Sequence, residues 1–477
     1  MQPTPRHPID QNERAVDIEK RMDEYWNRLT SFVRRPSSLL VGVLLLFVVT
    51  RVWWLMAFQA AGPDTWWYGK AARYGVDLKQ VIYRDFQVEY PPLAWWVMAV
   101  PRRIDSQSYP DWNLTPEAER RCQKWYFAAF HGEMVFADIV CLALMLAIGW
   151  RTSRAAALGL AAAYSLLTIA QPHLIYDRLD LGLLMFLLLF VACWLKSLED
   201  SPAANRWAIA SYLFLGLGIS FKIAPVVFVP YLLLAEVWAA GSTARLVGRV
   251  LSLAAGAAGP FLVHMPSAGW GVFKVFQFHA QRDIHLESTW ASIMLAASAF
   301  GVPCHVVFVP GAYNLESDWS GALKVASTVC LLAMAALTGL WALLRARRFD
   351  RRTALDAAIL VLFNTTVLAH VFSPQYLIWL MPLCMLLALS VFPRSAALWC
   401  AFAVLTIAIV GISSWLFPFH FVRRLTELAT WPVVMAVTRS ACLLAMALLL
   451  NVCFFSKYGL VASRGESPSP REIAVGA

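Results

Sequence analysis

Residues 38–50, Ser38-Leu39-Leu40-Val41-Gly42-Val43-Leu44-Leu45-Leu46-Phe47-Val48-Val49-Thr50, run without a charge, and after Arg51 the apolar character continues to residue 60. A helix needs about 20 residues to cross a hydrocarbon core of about 30 Å. The run is continuous rather than alternating, so it predicts a spanning helix and not a barrel strand. Comparable runs are expected near 124–149, 155–171, 180–197, 207–222, 223–240, 246–265, 321–344, 353–371, 375–391, 396–416 and 430–453, twelve in all.

Composition agrees with that reading. The 477 residues are 59% hydrophobic and 15% charged, against about 25% charged in soluble proteins, and the mean hydropathy is +0.58. A soluble globular enzyme is excluded. The expected class is all-α and polytopic, with about twelve transmembrane helices. The 21 Trp often flank apolar runs, as rings anchoring at an interface do, and the nine Cys show no zinc or CxxC spacing.

The formal charge of +10 does not gather on one face, which argues against a nucleic-acid partner. It marks topology instead. Arg151, Arg154, Arg206, Arg245, Arg249, the group Arg345, Arg347, Arg348, Arg351 and Arg352, then Arg394 and Lys457, all fall in alternate loops. Short basic loops stay inside. The expected organisation is a cytoplasmic N-terminal segment 1–37, a polytopic domain 38–456 with long outer loops 61–123 and 266–320, and a disordered cytoplasmic tail 457–477. Interfacial helices are expected in the first loop, and a re-entrant or interfacial segment at 290–310 in the second.

The polar residues inside this frame collect on the outer side. Asp64, Asp85, Glu89 and Tyr90 lie in the first outer loop, Asp177, Arg178 and Asp180 before the fourth span, and Lys222 at the end of the fifth. His279, Arg282 and Glu287 follow in the second long loop, and Gln375 and Tyr376 link spans nine and ten. No phosphate-binding glycine loop occurs on the inner side.

The ordered set Gly62-Pro63-Asp64-Thr65, Tyr83-Arg84-Asp85-Phe86, Glu89-Tyr90-Pro91-Pro92-Leu93, Phe221-Lys222-Ile223-Ala224-Pro225, His279 with Arg282 and Glu287-Ser288, and Ser373-Pro374-Gln375-Tyr376-Leu377 resembles glycosyltransferase family 87. These are membrane α-mannosyltransferases of the GT-C fold that depend on polyprenol-phosphate mannose. The resemblance spans roughly 40–455. It implies a polyprenyl-phosphate sugar donor at the outer face of a bacterial plasma membrane, both termini being cytoplasmic. It also implies inverting hexose transfer to a lipid-linked or envelope glycan acceptor, and a catalytic carboxylate at Asp64.

Each position also has a plainer reading. Asp64 is either the base that takes the acceptor proton or a helix N-cap. Lys222, His279 and Arg282 are candidates for the donor phosphate, while Lys222 also suits a snorkelling role and Arg282 a solvated one. Asp85, Glu89, Tyr90, Glu287, Gln375 and Tyr376 are candidates for sugar or acceptor hydroxyls, or parts of proline-fixed turns. Asp177 and Asp180 flank Arg178 as a local ion pair or, in principle, as holders of a divalent ion. No metal and no cofactor is expected, because the leaving group carries a single phosphate. Arg51 and Asp138, at membrane depth, are expected to pair.

Two other classes compete. One is a twelve-helix secondary transporter of a small polar or anionic solute, which calls for a midplane site. The other is a lipid-linked transferase of the same fold acting on another sugar, such as aminoarabinose or an oligosaccharide.

Overall fold

The computed structural model describes residues 36–58, 62–105, 107, 114–239, 242–309, 312–345, 349–392 and 395–459. The expected N-terminal segment and C-terminal tail lie outside these residues except where each joins a helix. In chain order the elements are α1 (Pro36–Ala57), α2 (Pro63–Val76), α3 (Pro92–Ile104), α4 (Pro116–Trp150), α5 (Arg154–Ile169), α6 (Asp180–Lys196) and α7 (Ala204–Phe221). A short turn, Ala224–Phe228, leads into α8 (Val229–Trp238) and α9 (Thr243–Ala268). The long loop after α9 holds α10 (Lys274–Ala280), α11 (Thr289–Ser298), β1 (His305–Val309) and β2 (Ala312–Glu316). The chain closes with α12 (Ser320–Leu344), α13 (Arg351–Leu368), α14 (Leu377–Val391), α15 (Ala396–Trp415) and α16 (Thr430–Tyr458).

Each expected span falls on a helix, and seven segments among the described residues are long and apolar enough to cross a membrane. The chain is a polytopic helical membrane protein. The layering follows from burial: 83% of Pro374–Val391 is buried inside the protein, against 17% of Ser38–Ala57. The segment ending in α14 is therefore central, and α1 presents most of its surface to lipid. Helices α7 and α9 touch backbone to backbone, since a Cβ on Gly256 would stand 2.5 Å from the Leu213 carbonyl oxygen. Small residues permit such contacts where no hydrophobic effect drives helices together.

Two boundaries differ from the sequence reading. Helix α4 starts at Pro116 rather than near 124, because Thr115 caps it by accepting from Ala118 N at 3.2 Å, with Pro116 at the first position and Glu117 and Glu119 in the first turn. These polar start signals precede the apolar run that marks the span. The stretch 290–310 is not one re-entrant segment: α11, capped by Ser288, covers its first part, and β1 pairs antiparallel with β2 from His305↔Glu316 to Val309↔Ala312.

Within the bundle lies the pair expected from sequence. Arg51 Nε donates to Asp138 Oδ2 at 2.8 Å and Nη2 to Oδ1 at 3.2 Å. Arg51 also reaches Ser165 O and Thr168 Oγ1, while the Tyr164 and Tyr176 hydroxyls donate to Asp138. A buried ion pair needs such added hydrogen bonds to offset its desolvation. Tyr176 thereby anchors the loop that carries Asp177 and Arg178.

Candidate functional site

Asp64 lies in the first turn of α2, behind Pro63, and Gly62 rather than Asp64 is the N-cap. The capping alternative is thus removed by the geometry. The carboxylate meets Arg178, Nη2 to Oδ2 at 2.5 Å. Burial pushes the Asp64 carboxyl above its ordinary value; the Arg178 charge opposes this, and Glu89, Asp177 and Asp180 add to it. Gly62 is required here for close packing, because a Cβ there would stand 2.9 Å from Asp177 Oδ2.

The three neighbours in sequence, Asp177, Arg178 and Asp180, do not form the expected local pair. Arg178 goes to Asp64. Asp177 Oδ1 accepts from Thr65 Oγ1 at 3.0 Å and stands 2.9 Å from His131 Nε2. Asp180 Oδ1 stands 2.8 Å from Lys222 Nζ and accepts from Trp379 Nε1 at 2.9 Å. Asp177 and Arg178, in the turns before α6, both reach the first turn of α2, while Asp180, the first residue of α6, turns to Lys222 and Trp379.

Lys222 follows the last residue of α7 in an extended conformation, which turns its side chain in toward Asp180. Its Nζ also lies 5.7 Å from the Tyr90 ring and 5.8 Å from the Tyr376 ring, a cation–π arrangement on two faces. The Tyr90 and Tyr68 hydroxyls are 2.9 Å apart, and burial pushes both phenols up, so they remain neutral O–H groups. Arg282 Nη2 donates to Glu89 Oε2 at 3.0 Å. His279 Nε2 stands 3.1 Å from the Glu89 carbonyl oxygen, which can only accept, so the ring donates there.

The segment carrying Arg282 is held on two sides. Leu286 N donates to Tyr313 O and Leu315 N to Ile284 O, both at 2.9 Å, while His285 N donates to His370 O at 2.9 Å. Hairpin and helical loop together clamp it over the bundle. Gln375 is buried in the turn before α14, and its Oε1 has no hydrogen-bond partner among the described residues; the same is true of Asp180 Oδ2.

Not every candidate joins this cluster. Asp85 closes its own turn, accepting from Val81 N at 2.8 Å and pairing with Arg84, whose hydrogen bond draws the carboxyl down to about 2. That turn buries Tyr83, whose hydroxyl donates to Tyr90 O at 2.7 Å. Asp85 is therefore placed as a turn former beside the site. Glu287 faces Arg439, with Nη1 at 3.6 Å from its carboxylate and Nη2 donating to its carbonyl at 2.6 Å. Burial pushes the Glu287 carboxyl up to about 7.

Two residues of the arrangement escape the sequence reading. His131 sits on α4 with no local signature. Arg439 carries one, an ionisable residue inside an expected span. Among the described residues no group of three or more His, Cys, Asp or Glu side chains is placed to hold a metal ion.

The cluster contains three cation–carboxylate pairs, Arg178 with Asp64, Lys222 with Asp180 and Arg282 with Glu89. It gathers side chains from the loops around α2, α6, α7, α10 and α14 at one end of the bundle. Its chemistry is that of an anion and hydroxyl site beside one carboxylate of raised pKa. No family model matches the chain, and no curated protein matches it. Among solved structures it is similar to ArnT from Cupriavidus metallidurans bound to undecaprenyl phosphate, with a TM-score of 0.43 and 15% identity over 88% of this chain and 78% of that one. The apo state of ArnT gives a TM-score of 0.42 and 12% identity over the same shares.

Proposed function

We propose that this protein is a GT-C glycosyltransferase that moves a hexose, mannose in the first instance, from a polyprenyl phosphate to a hydroxyl of a lipid-linked or envelope glycan at the outer face of a plasma membrane. The observation that carries the reading is the gathering of three cation–carboxylate pairs at one end of the bundle, Arg178 on Asp64 itself, with Lys222 and Arg282 on Asp180 and Glu89, the carboxylates whose charges act on Asp64. In this mechanism the acceptor hydroxyl oxygen attacks C1 of the sugar, Asp64 takes the proton, and the bond from C1 to the phosphate oxygen breaks with its electron pair leaving on the phosphate. Attack opposite the leaving group inverts C1. The cations meet the growing phosphate charge. Each of them meets its carboxylate through one nitrogen in these ion pairs, and guanidinium and ammonium groups carry further N–H donors.

The orphan acceptors support a polyhydroxyl ligand. Asp180 Oδ2 and Gln375 Oε1 are buried without a donor among the described residues, a state that costs about 1–3 kcal/mol for each atom, and sugar hydroxyls supply O–H groups. The transporter reading has less support, because Arg51 and Asp138, the ionisable pair at membrane depth, close on each other and on Tyr164 and Tyr176. The test incubates purified protein with polyprenyl-phosphate mannose and a membrane lipid extract, wild type beside Asp64→Ala. Sugar transfer that depends on Asp64 is expected; its absence with every lipid-phosphate hexose tried sinks the proposal.

A further inference from the structure

At the opposite end of the bundle, a 310 Å³ cavity opens between the end of α8, the start of α9 and the start of α13. Helix α6 runs from Asp180 in the sugar-transfer cluster to this end, about 25 Å away at about 1.5 Å per residue. The cavity is lined by Arg245, Arg249 and Arg351 against a single acid, Glu236. Glu236 is buried and shared: Arg249 pairs with one oxygen, and Arg351 Nε stands 3.0 Å from the other. Arg351 is further fixed by donating to Ser197 O at 3.1 Å and Ser197 Oγ at 2.8 Å, over the Trp194 ring.

One carboxylate therefore serves two largely buried guanidiniums, and the exposed Arg245 at the rim forms no ion pair with an acid among the described residues. Arg249 Nε is buried with no hydrogen-bond partner among them. An excess of partly desolvated positive charge is costly unless an anion completes it. The Ser242 side chain, also on the lining, makes no capping bond to α9, so its hydroxyl is available to the same ligand. Apolar side chains stand beside these groups: Val237 and Leu246 line the same cavity, and Val237 is 51% exposed. A charged pocket with apolar side chains on its open wall matches an amphiphile better than a free ion.

We propose that this cavity binds the phosphate headgroup of an anionic phospholipid of the inner leaflet, with Arg245 and Arg249 on the phosphate and an acyl chain leaving past Val237 and Leu246. The site is separate from the sugar-transfer cluster and does not depend on its assignment. Anionic inner-leaflet lipids are the expected partners of basic groups at this depth.

The test uses the full chain, purified and delipidated in detergent. It is titrated with phosphatidylglycerol, phosphatidylcholine or inorganic phosphate, with retained adducts read by native mass spectrometry and the unfolding midpoint read in parallel. Phosphatidylglycerol is expected to bind and raise the midpoint, while the other two do neither. Arg245→Ala, at an exposed position that does not threaten folding, is expected to weaken phosphatidylglycerol binding by about tenfold. Arg154→Ala, which removes an exposed arginine at the start of α5, is expected to leave it unchanged. Equal binding of phosphatidylcholine, reproduction of the effect by inorganic phosphate, wild-type binding by Arg245→Ala, or an equal loss in Arg154→Ala each overturns the proposal.

Discussion

Arg178 Nη2 stands 2.5 Å from Asp64 Oδ2 and joins the loop before α6 to the first turn of α2, across more than a hundred residues of sequence. The pair sets the two opposing influences on the carboxylate: burial raises its pKa and the guanidinium lowers it. In the proposed mechanism Asp64 must be ionised to accept a proton, so transfer is expected to fall as pH drops through its pKa. The site thus holds a carboxylate made more basic by its surroundings and kept in hand by one cation.

Replacing Asp64 by Asn removes the proposed base while keeping shape. Transfer is expected to fall by about 10²- to 10⁴-fold, with polyprenyl-phosphate binding retained. Arg178→Ala removes the influence that lowers the Asp64 pKa, so the acid limb of the rate profile is expected to move to higher pH. A profile whose acid limb stays put in Arg178→Ala would show that another group titrates there.

Lys222 is held by Asp180 Oδ1 and by the faces of Tyr90 and Tyr376. Lys222→Ala is expected to weaken polyprenyl-phosphate binding by about tenfold, the loss of one charge-assisted hydrogen bond. Lys222→Arg is expected to recover part of it. Equilibrium binding of a fluorescent polyprenyl phosphate checks this, and equal affinity in wild type and Lys222→Ala rules the contact out.

Much of the site is legible in sequence because charge beside apolar residues is conspicuous. Asp64 and Lys222 stand out at the edges of spans, Arg282 in the second long loop, and Arg51 and Asp138 within spans. Their partners are not legible, with Arg51 and Asp138 the exception. Asp177, Arg178 and Asp180 are near neighbours in sequence, yet they pair with distant residues rather than with each other, Asp177 and Arg178 with α2 and Asp180 with Lys222, a matter of how helices pack. The hairpin is hidden for another reason. Its Val306-Val307-Phe308-Val309 strand is as apolar as a membrane segment, and the Pro310-Gly311 pair that follows is the feature that distinguishes the two. Asp85 resembles its acidic neighbours in sequence, and only the turn from Val81 shows where its oxygens go.

The Arg51–Asp138 pair is buried on both sides. Removing either partner alone leaves a charge uncompensated, at a cost of about 3–5 kcal/mol. Arg51→Leu with Asp138→Leu removes both charges and is expected to recover part of that loss, the remainder reflecting the unpaired Tyr164 and Tyr176 hydroxyls. Thermal unfolding in detergent reads the cycle. Additive losses in the double variant would mean that the two residues do not act as a pair.

Glu287 provides a pH test independent of activity. Burial lifts its carboxyl from 4.5 to about 7 in the folded protein, with Arg439 opposing. Protonated Glu287 suits its site and ionised Glu287 does not. Its favourable contribution is therefore fully present below about pH 4.5, declines as pH rises, and is lost once pH passes the folded value of about 7. The size is at most about 3 kcal/mol, since a tenfold change in proton affinity corresponds to about 1.4 kcal/mol and the Arg439 contact responds to the same proton. Glu287→Gln puts a neutral side chain of the same shape beside Arg439, so its unfolding midpoint is expected to change less between about pH 5 and 8 than that of wild type. Parallel pH dependence in the two proteins would show that Glu287 stays ionised throughout, with the Arg439 charge outweighing its burial.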